Sequence, residues 1–211
     1  MSEIAIYVEG GGDTAQQKSD LRQGFDCLFS QAKTKAREKR YRWSLIPCGS
    51  RQQTYEAFKN ALKTKPLATN VLLVDSEDPI PICTALNNDA IIRVEHLKKR
   101  DNWVFDEVES ECIHLMVQCM EAWIVADVDA LKTFYGQDFL VNSLPKRNNH
   151  EEEPKTDIYN KLKQATKTTQ KGEYAKIKHA SKLLMIIDSR EVEKRCPRFK
   201  EFTQWLDRII K

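Results

Sequence analysis

An α/β fold built on a mostly parallel sheet flanked by helices, with a helical C-terminal part, is what this sequence predicts. Three observations carry the prediction. Short apolar, β-branched segments recur at Ile4 to Val8, Arg42 to Cys48 and Val71 to Val74. Stretches with helical periodicity lie between them, and the last third of the chain shows helical patterns alone. Strands alternating with helices at this spacing need crossover connections, and such connections join parallel strands.

The first strand stops at Glu9-Gly10-Gly11-Gly12-Asp13. From Thr14 to about Arg40, Leu21, Phe25, Leu28, Phe29, Ala32 and Ala36 share one helical face, with lysines and arginines opposite. Asp13 or Thr14 is placed to cap that helix. The second strand closes at Gly49-Ser50, and a helix carrying Tyr55, Phe58 and Leu62 follows, ending near Pro66. The third strand has no polar interruption and runs directly into Asp75-Ser76-Glu77-Asp78-Pro79. Asn87-Asn88-Asp89 reads as a loop. Ile113 to Met120 reads as a strand entering a helix around Glu121 to Ala126, and Val128 to Tyr135 as a short helix stopped by Gly136. Residues 142–175 are polar and lysine-rich, and part of them is expected to be a mobile loop around a helix near Ile158 to Leu162. Helical patterns around Lys182 to Ile187 and Phe199 to Ile209 close the chain. The expected organisation is an α/β core at residues 1–127 and a helical extension at 128–211, packed on it as one compact domain.

Composition narrows the function classes. Hydrophobic residues make up 41% and charged residues 31% of the 211, enough for one buried core. There is no apolar run of about 18 residues, so no membrane partner is expected. The start of the chain reads as a strand and not as a signal peptide, which makes a cytoplasmic location the expectation. Cys27, Cys48, Cys83, Cys112, Cys119 and Cys196 form no C-x-x-C pair, which argues for structural thiols over zinc ligands or a disulfide framework. Two basic runs stand out, Lys33 to Arg42 and Arg93 to Arg100. They read either as solvated helix ends or as surfaces that neutralise nucleic-acid phosphates.

The chemistry concentrates in the acids that follow strands. Glu9 follows the first strand, and Asp75 and Glu77 the third. Ligands bind at the carboxyl ends of strands in open α/β sheets because neighbouring loops converge there. Two residues apart in an extended segment, Asp75 and Glu77 are expected to point to one side. Carboxylates gathered this way raise one another's pKa unless a cation relieves them, and oxygen ligands suit Mg²⁺, with Mn²⁺ as a substitute. Gly10, Gly11 and Gly12 before a helix offer an alternative anion site for a phosphate, without the Lys-Ser/Thr ending of a P-loop. Glu121 sits in an otherwise apolar stretch, where a carboxylate needs a partner. His114 is expected as a core or rim histidine, and Lys176, Lys178 and His179 as a basic triplet that is either a solvated helix start or a phosphate contact.

The pattern Val8-Glu9-Gly10, followed by Leu72-Leu73-Val74-Asp75-Ser76-Glu77, is similar to the Toprim motif of topoisomerases, primases and OLD-type nucleases. Tyr7 to Asp13, His114 to Trp123, Tyr174 to His179 and Cys196-Pro197 look like a bacterial Toprim-like group, some members of which are linked to ATPases in phage-defence settings. The resemblance implies Glu9 as a general acid or base and Asp75 with Glu77 as the Mg²⁺ site. The second acid here is Glu instead of Asp, with Asp78 beside it as a further ligand candidate. The same reading puts phosphate at Gly10 to Gly12 and Lys178, and supporting roles at Asp13, Glu121 and His179. The implied activity is a metal-dependent nuclease or related phosphodiester-transfer enzyme acting on DNA or RNA with an ATPase partner. The alternative is a non-catalytic interaction module of an ATPase complex.

Overall fold

The structure, a computed structural model, describes residues 2–81, 86–106 and 108–211, with the backbone alone for 86–88; Cys83 lies outside these. Four strands form one all-parallel sheet: β1 (Glu3–Val8), β2 (Arg42–Pro47), β3 (Thr69–Asp75) and β4 (Ile113–Met116), in the order β2-β1-β3-β4. The two central strands are buried on both faces, which is why they read as unbroken apolar runs. Edge strand β2 mixes Arg42 and Ser44 with Leu45 and Ile46.

The helices are α1 (Ala15–Leu28), α2 (Ser30–Glu38), α3 (Arg51–Thr64), α4 (Leu86–Asp101), α5 (Glu121–Ile124), α6 (Val128–Tyr135), α7 (Lys155–Thr166), α8 (Lys176–Leu184), α9 (Ser189–Arg195) and α10 (Pro197–Ile209). Thr14 with Gln17, and Ser50 with Gln53, form capping boxes that start α1 and α3. The single helix expected from Thr14 to Arg40 is broken at Phe29, whose ring packs between Phe25, Trp123, Phe199 and Phe202.

Two expected loops are corrected. Asn87-Asn88-Asp89 lies in the first turn of α4, where short polar side chains are tolerated and an acid suits the helix dipole; Asp89 also pairs with Arg93 one turn on. Residues 142–175 hold α7 and short 3₁₀ turns at Val141–Ser143 and His150–Glu152, with His150, Glu151 and Glu153 buried. Their polar groups have particular partners: Glu151 accepts the Arg198 N–H at 2.7 Å. Composition records such groups as hydrophilic and cannot show that they are paired inside the fold.

Alternation along β1 and β3 sorts the core into two layers. Ile4, Ile6, Val8, Val71 and Leu73 face Phe25, Trp123, Leu183, Phe199 and Phe202 from α1, α5, α8 and α10. Ala5, Tyr7, Leu72 and Val74 face Phe58, Leu97, Trp103 and Phe105 beside α3 and α4. The C-terminal helices therefore complete the first layer. α8 comes close to α1 at Gly24, where a β-carbon would stand 2.7 Å from the Ser181 carbonyl oxygen. Of the cysteines expected as structural thiols, Cys119 and Cys196 are buried and free, while Cys27 is exposed and is not a core residue. His114 is buried against Phe202 and Trp205. No helix among the described residues is long and apolar enough to cross a membrane.

Candidate functional site

β1 and β3 pair in parallel with Val8 opposite Leu73, and the Glu9 N–H extends the ladder to the Leu73 carbonyl at 3.2 Å. Glu9 and Asp75 thus leave neighbouring strands at the same edge. Asp75 continues the alternation toward the α1/α8 layer. Its Oδ1 accepts the Met120 N–H at 2.8 Å and its Oδ2 meets Lys176 Nζ at 3.4 Å. Glu9 turns to the α3 side and takes Arg51 Nη1 at 3.1 Å.

Glu77 joins them by a different route from the one expected. Its φ is +69°, so the chain turns out of the extended conformation, and the two-residue alternation does not place it. Lys155 ties it in, with Nζ 2.6 Å from Glu77 Oε1 and 3.8 Å from Asp75 Oδ2. Glu121, at the start of α5, is buried; its Oε1 accepts the Tyr174 hydroxyl at 2.9 Å and its Oε2 meets Lys176 at 3.4 Å. Lys176 bridges Asp75 and Glu121.

The remaining sequence candidates spread around this centre. Asp78 is exposed at the outer rim and pairs with Arg100 at 3.3 Å. Asp13 is exposed on the glycine turn. Gly10 and Gly11 adopt φ of +110° and +93°, a left-handed turn that favours glycine. The Gly10 N–H is bonded to Gly49 at 2.8 Å, and those of Asp13 and Thr14 to Gln17, while those of Gly11 and Gly12 find no partner among the described residues. Lys178 points away, to the Lys171 carbonyl at 3.1 Å. His179 is buried behind the site among Phe134, Tyr135 and Tyr174 and accepts the Ala175 N–H. Of the basic triplet, Lys176 is the member that reaches the acids.

Arg51 and Lys155 had no signal in the sequence as site residues, since their partners lie far along the chain, and Tyr174 stood out only as the start of a stretch that carries the resemblance. Arg51 is well fixed: Asp101 holds its Nε and Nη2 at 2.9 and 2.7 Å, and the guanidinium lies 5.0 Å from the Trp103 ring, itself stacked on Tyr55.

Electrostatics set the character of the cluster. Burial and the nearby Asp75 push the Glu9 carboxyl above its ordinary range, against the pull of Arg51 and Lys176. Burial works against charge on Lys155 and Lys176, yet Glu77 and Asp75 hold the first, and Asp75 and Glu121 the second, above the usual lysine range. Four carboxylates face three cations, and one of these, Arg51, is shared with Asp101, so the rim keeps a negative surplus.

No group of three or more His, Cys, Asp or Glu residues among those described is arranged as a ready metal cage. The donor chemistry nevertheless suits a hard divalent cation: among the described residues Glu9 Oε1 and Glu77 Oε2 carry no hydrogen bond, and Asp75 Oδ2 has only the longer lysine contacts. A few such oxygens with retained water is the usual way Mg²⁺ is held.

The chain matches no curated protein and no solved structure. One family model, described as a domain of unknown function (DUF4276), matches residues 8–207, which takes in the end of β1, every acid and base of the cluster and most of α10; the chain belongs to that family.

Proposed function

We propose that this protein is a Mg²⁺-dependent nuclease or related phosphodiester-transfer enzyme that acts on DNA or RNA in the cytoplasm, in genome or phage defence with a partner ATPase. The observation that carries the reading is the meeting of Glu9, Asp75 and Glu77 at the carboxyl edge of adjacent strands, with the lysines Lys155 and Lys176 among them. The resemblance of the strand-end acids to the Toprim motif supports the same assignment and is the source of the defence and ATPase proposals.

Glu9, Asp75 and Glu77 would hold the cation, with Asp78 at the margin. A cation held there would supply Lewis-acid polarisation of a phosphoryl group and activation of water. Glu9, whose carboxyl is pushed above its ordinary range by burial and by Asp75, would accept a proton from the attacking water or return one to the leaving oxygen. Arg51 fixes the Glu9 carboxylate, itself held by Asp101 and Trp103. Lys155 and Lys176 supply positive charge where phosphoryl oxygens would sit. Arg100 at the end of α4 pairs with Asp78, and with the exposed Lys99 next to it in the chain it suits a passing phosphate backbone; Arg93 does not, being buried on Asp89 and the Ile113 carbonyl.

Cleavage of plasmid DNA and of RNA with Mg²⁺ or Mn²⁺ tests the assignment. Asp75→Asn and Glu9→Gln should each lower the rate by about 100-fold or more, the scale of losing a positioned proton-transfer group. Wild-type rates in both variants would trace the activity to a contaminant. A second reading has one observation in its favour: Arg51 and the two lysines already offset most of the acid charge without a metal. On that reading the chain is a non-catalytic module docking on an ATPase, and it would copurify with the ATPase while showing no Mn²⁺ binding.

A further inference from the structure

A cavity of about 110 Å³ opens on the α1/α8 side of the carboxylates. Leu21, Met120 and Ala180 form its floor, and the Gly10–Gly12 turn, Lys176 and Ile177 its rim. Two of these are partners of Asp75 itself: Met120 through its N–H at 2.8 Å and Lys176 through its ammonium at 3.4 Å. A group seated in the cavity is therefore one residue away from the central acid. Ile177 is 58% exposed and stands directly after Lys176, so it extends the apolar floor out into solvent. The polar margin is supplied by Gln17, whose Oε1 accepts the Asp13 and Thr14 N–H groups and whose Nε2 has no partner among the described residues, and by the Ser181 hydroxyl, which has none there either. The recess thus suits a small body with apolar faces and polar edges, attached to an anion that Lys176 can meet.

A nucleotide has that form. We infer that the cavity receives the base of an unstacked nucleotide whose phosphate lies at Lys176 and the carboxylates. The inference rests on the phosphodiester reading and narrows its substrate to single-stranded or locally opened nucleic acid, because a base within a duplex is paired and stacked out of reach.

Binding is measured by fluorescence anisotropy with Ca²⁺ in place of Mg²⁺, using a labelled single-stranded oligonucleotide and the same strand carrying abasic residues. An unlabelled mononucleotide serves as competitor. The intact strand should bind about 10-fold more tightly than the abasic one, within the range that one seated base contributes. Ile177→Ala, at an exposed position that leaves the fold intact, should weaken the intact strand about five-fold and the abasic strand not at all. Ser181→Leu, which fills the recess, should do the same. Equal binding of intact and abasic strands overturns the inference, as does an undiminished preference in Ile177→Ala melting at the wild-type temperature, or no binding of either nucleotide form. Competition by the mononucleotide that is lost in Ile177→Ala supports the cavity with a free nucleotide as its source; competition by strands alone supports a polymer. Base-dependent binding without any cleavage leaves the cavity standing and removes the nuclease reading, whereas cleavage without base preference does the reverse.

Discussion

Glu9 carries its charge in a place that resists it. Its proton is held more tightly in the folded chain than in the unfolded one, because burial and Asp75 outweigh Arg51 and Lys176. A group of this kind stabilises the fold fully below its ordinary value of about 4.3, and that contribution is lost as pH rises through the raised value. Replacing it with Glu9→Gln keeps an oxygen for Arg51 and removes the buried charge. Melting curves at pH 8 should rise by about 2–4 °C, the equivalent of roughly 1 kcal/mol for a chain of this size, with no gain at pH 4. A variant less stable at pH 8 would mean that the Arg51 pair outweighs the burial of the acid. Stability gained by losing the proposed proton-transfer group is the usual trade between a strained site and a relaxed fold. Glu9 and Asp75 were legible in the sequence because each follows an apolar strand by one residue. Lys155 was not, and Lys176 was legible only as one of a basic triplet and not as the partner of Asp75: Glu77 and Lys155 stand 78 positions apart, and Asp75 and Lys176 stand 101 apart. No periodicity links such pairs.

At the scale of elements, the closeness of α8 to α1 fixes where Lys176 arrives. Gly24 makes that closeness available, not through an unusual backbone conformation but through the space it leaves beside the Ser181 carbonyl and Leu184. Alanine is the better helix former by about 1 kcal/mol, so propensity alone favours Gly24→Ala. Overpacking at 2.7 Å from a backbone oxygen should outweigh it, with a net loss of about 1–2 kcal/mol in denaturant unfolding. Stabilisation instead would show that the helices can part freely there. The strands and the capped helices α1 and α3 were readable from alternation, helical period and the Thr14 and Ser50 caps. The start of α4 and the turns before α7 were not, since Asn87-Asn88-Asp89 and Glu151-Glu152-Glu153 carry the residue types of loops, while Asp89, Glu151 and Glu153 are buried on distant or helical basic partners. Glu151 shows the force involved: burial pushes its carboxyl up to about 7, although the Arg198 N–H and guanidinium act to hold it down.

For the whole molecule, one apolar layer joins both ends of the chain. Phe25 and Phe29 from the N-terminal part and Phe199 from α10 enclose Trp123, with Phe202 packed on Phe29. The division at residue 127 expected from the sequence therefore separates two parts of a shared core. A fragment of residues 1–127 would leave those rings and the sheet face beneath them in water, and burying apolar surface is the main force that folds a domain of this size. Circular dichroism of the fragment should show no cooperative thermal transition where the full chain shows one. A sharp melt would establish an independent N-terminal unit.

The three cations among the site's acids come from α3, α7 and α8, so they reach it at very different times in synthesis. As the ribosome releases the first half, the edge of the nascent sheet carries Glu9, Asp75 and Glu77 with Arg51 alone to offset them. The mutual repulsion opposes closing that edge early. Only when the segments bearing Lys155 and Lys176 emerge and settle is most of that repulsion offset, which makes these later helices a latch on the centre and ties its completion to that of the whole chain.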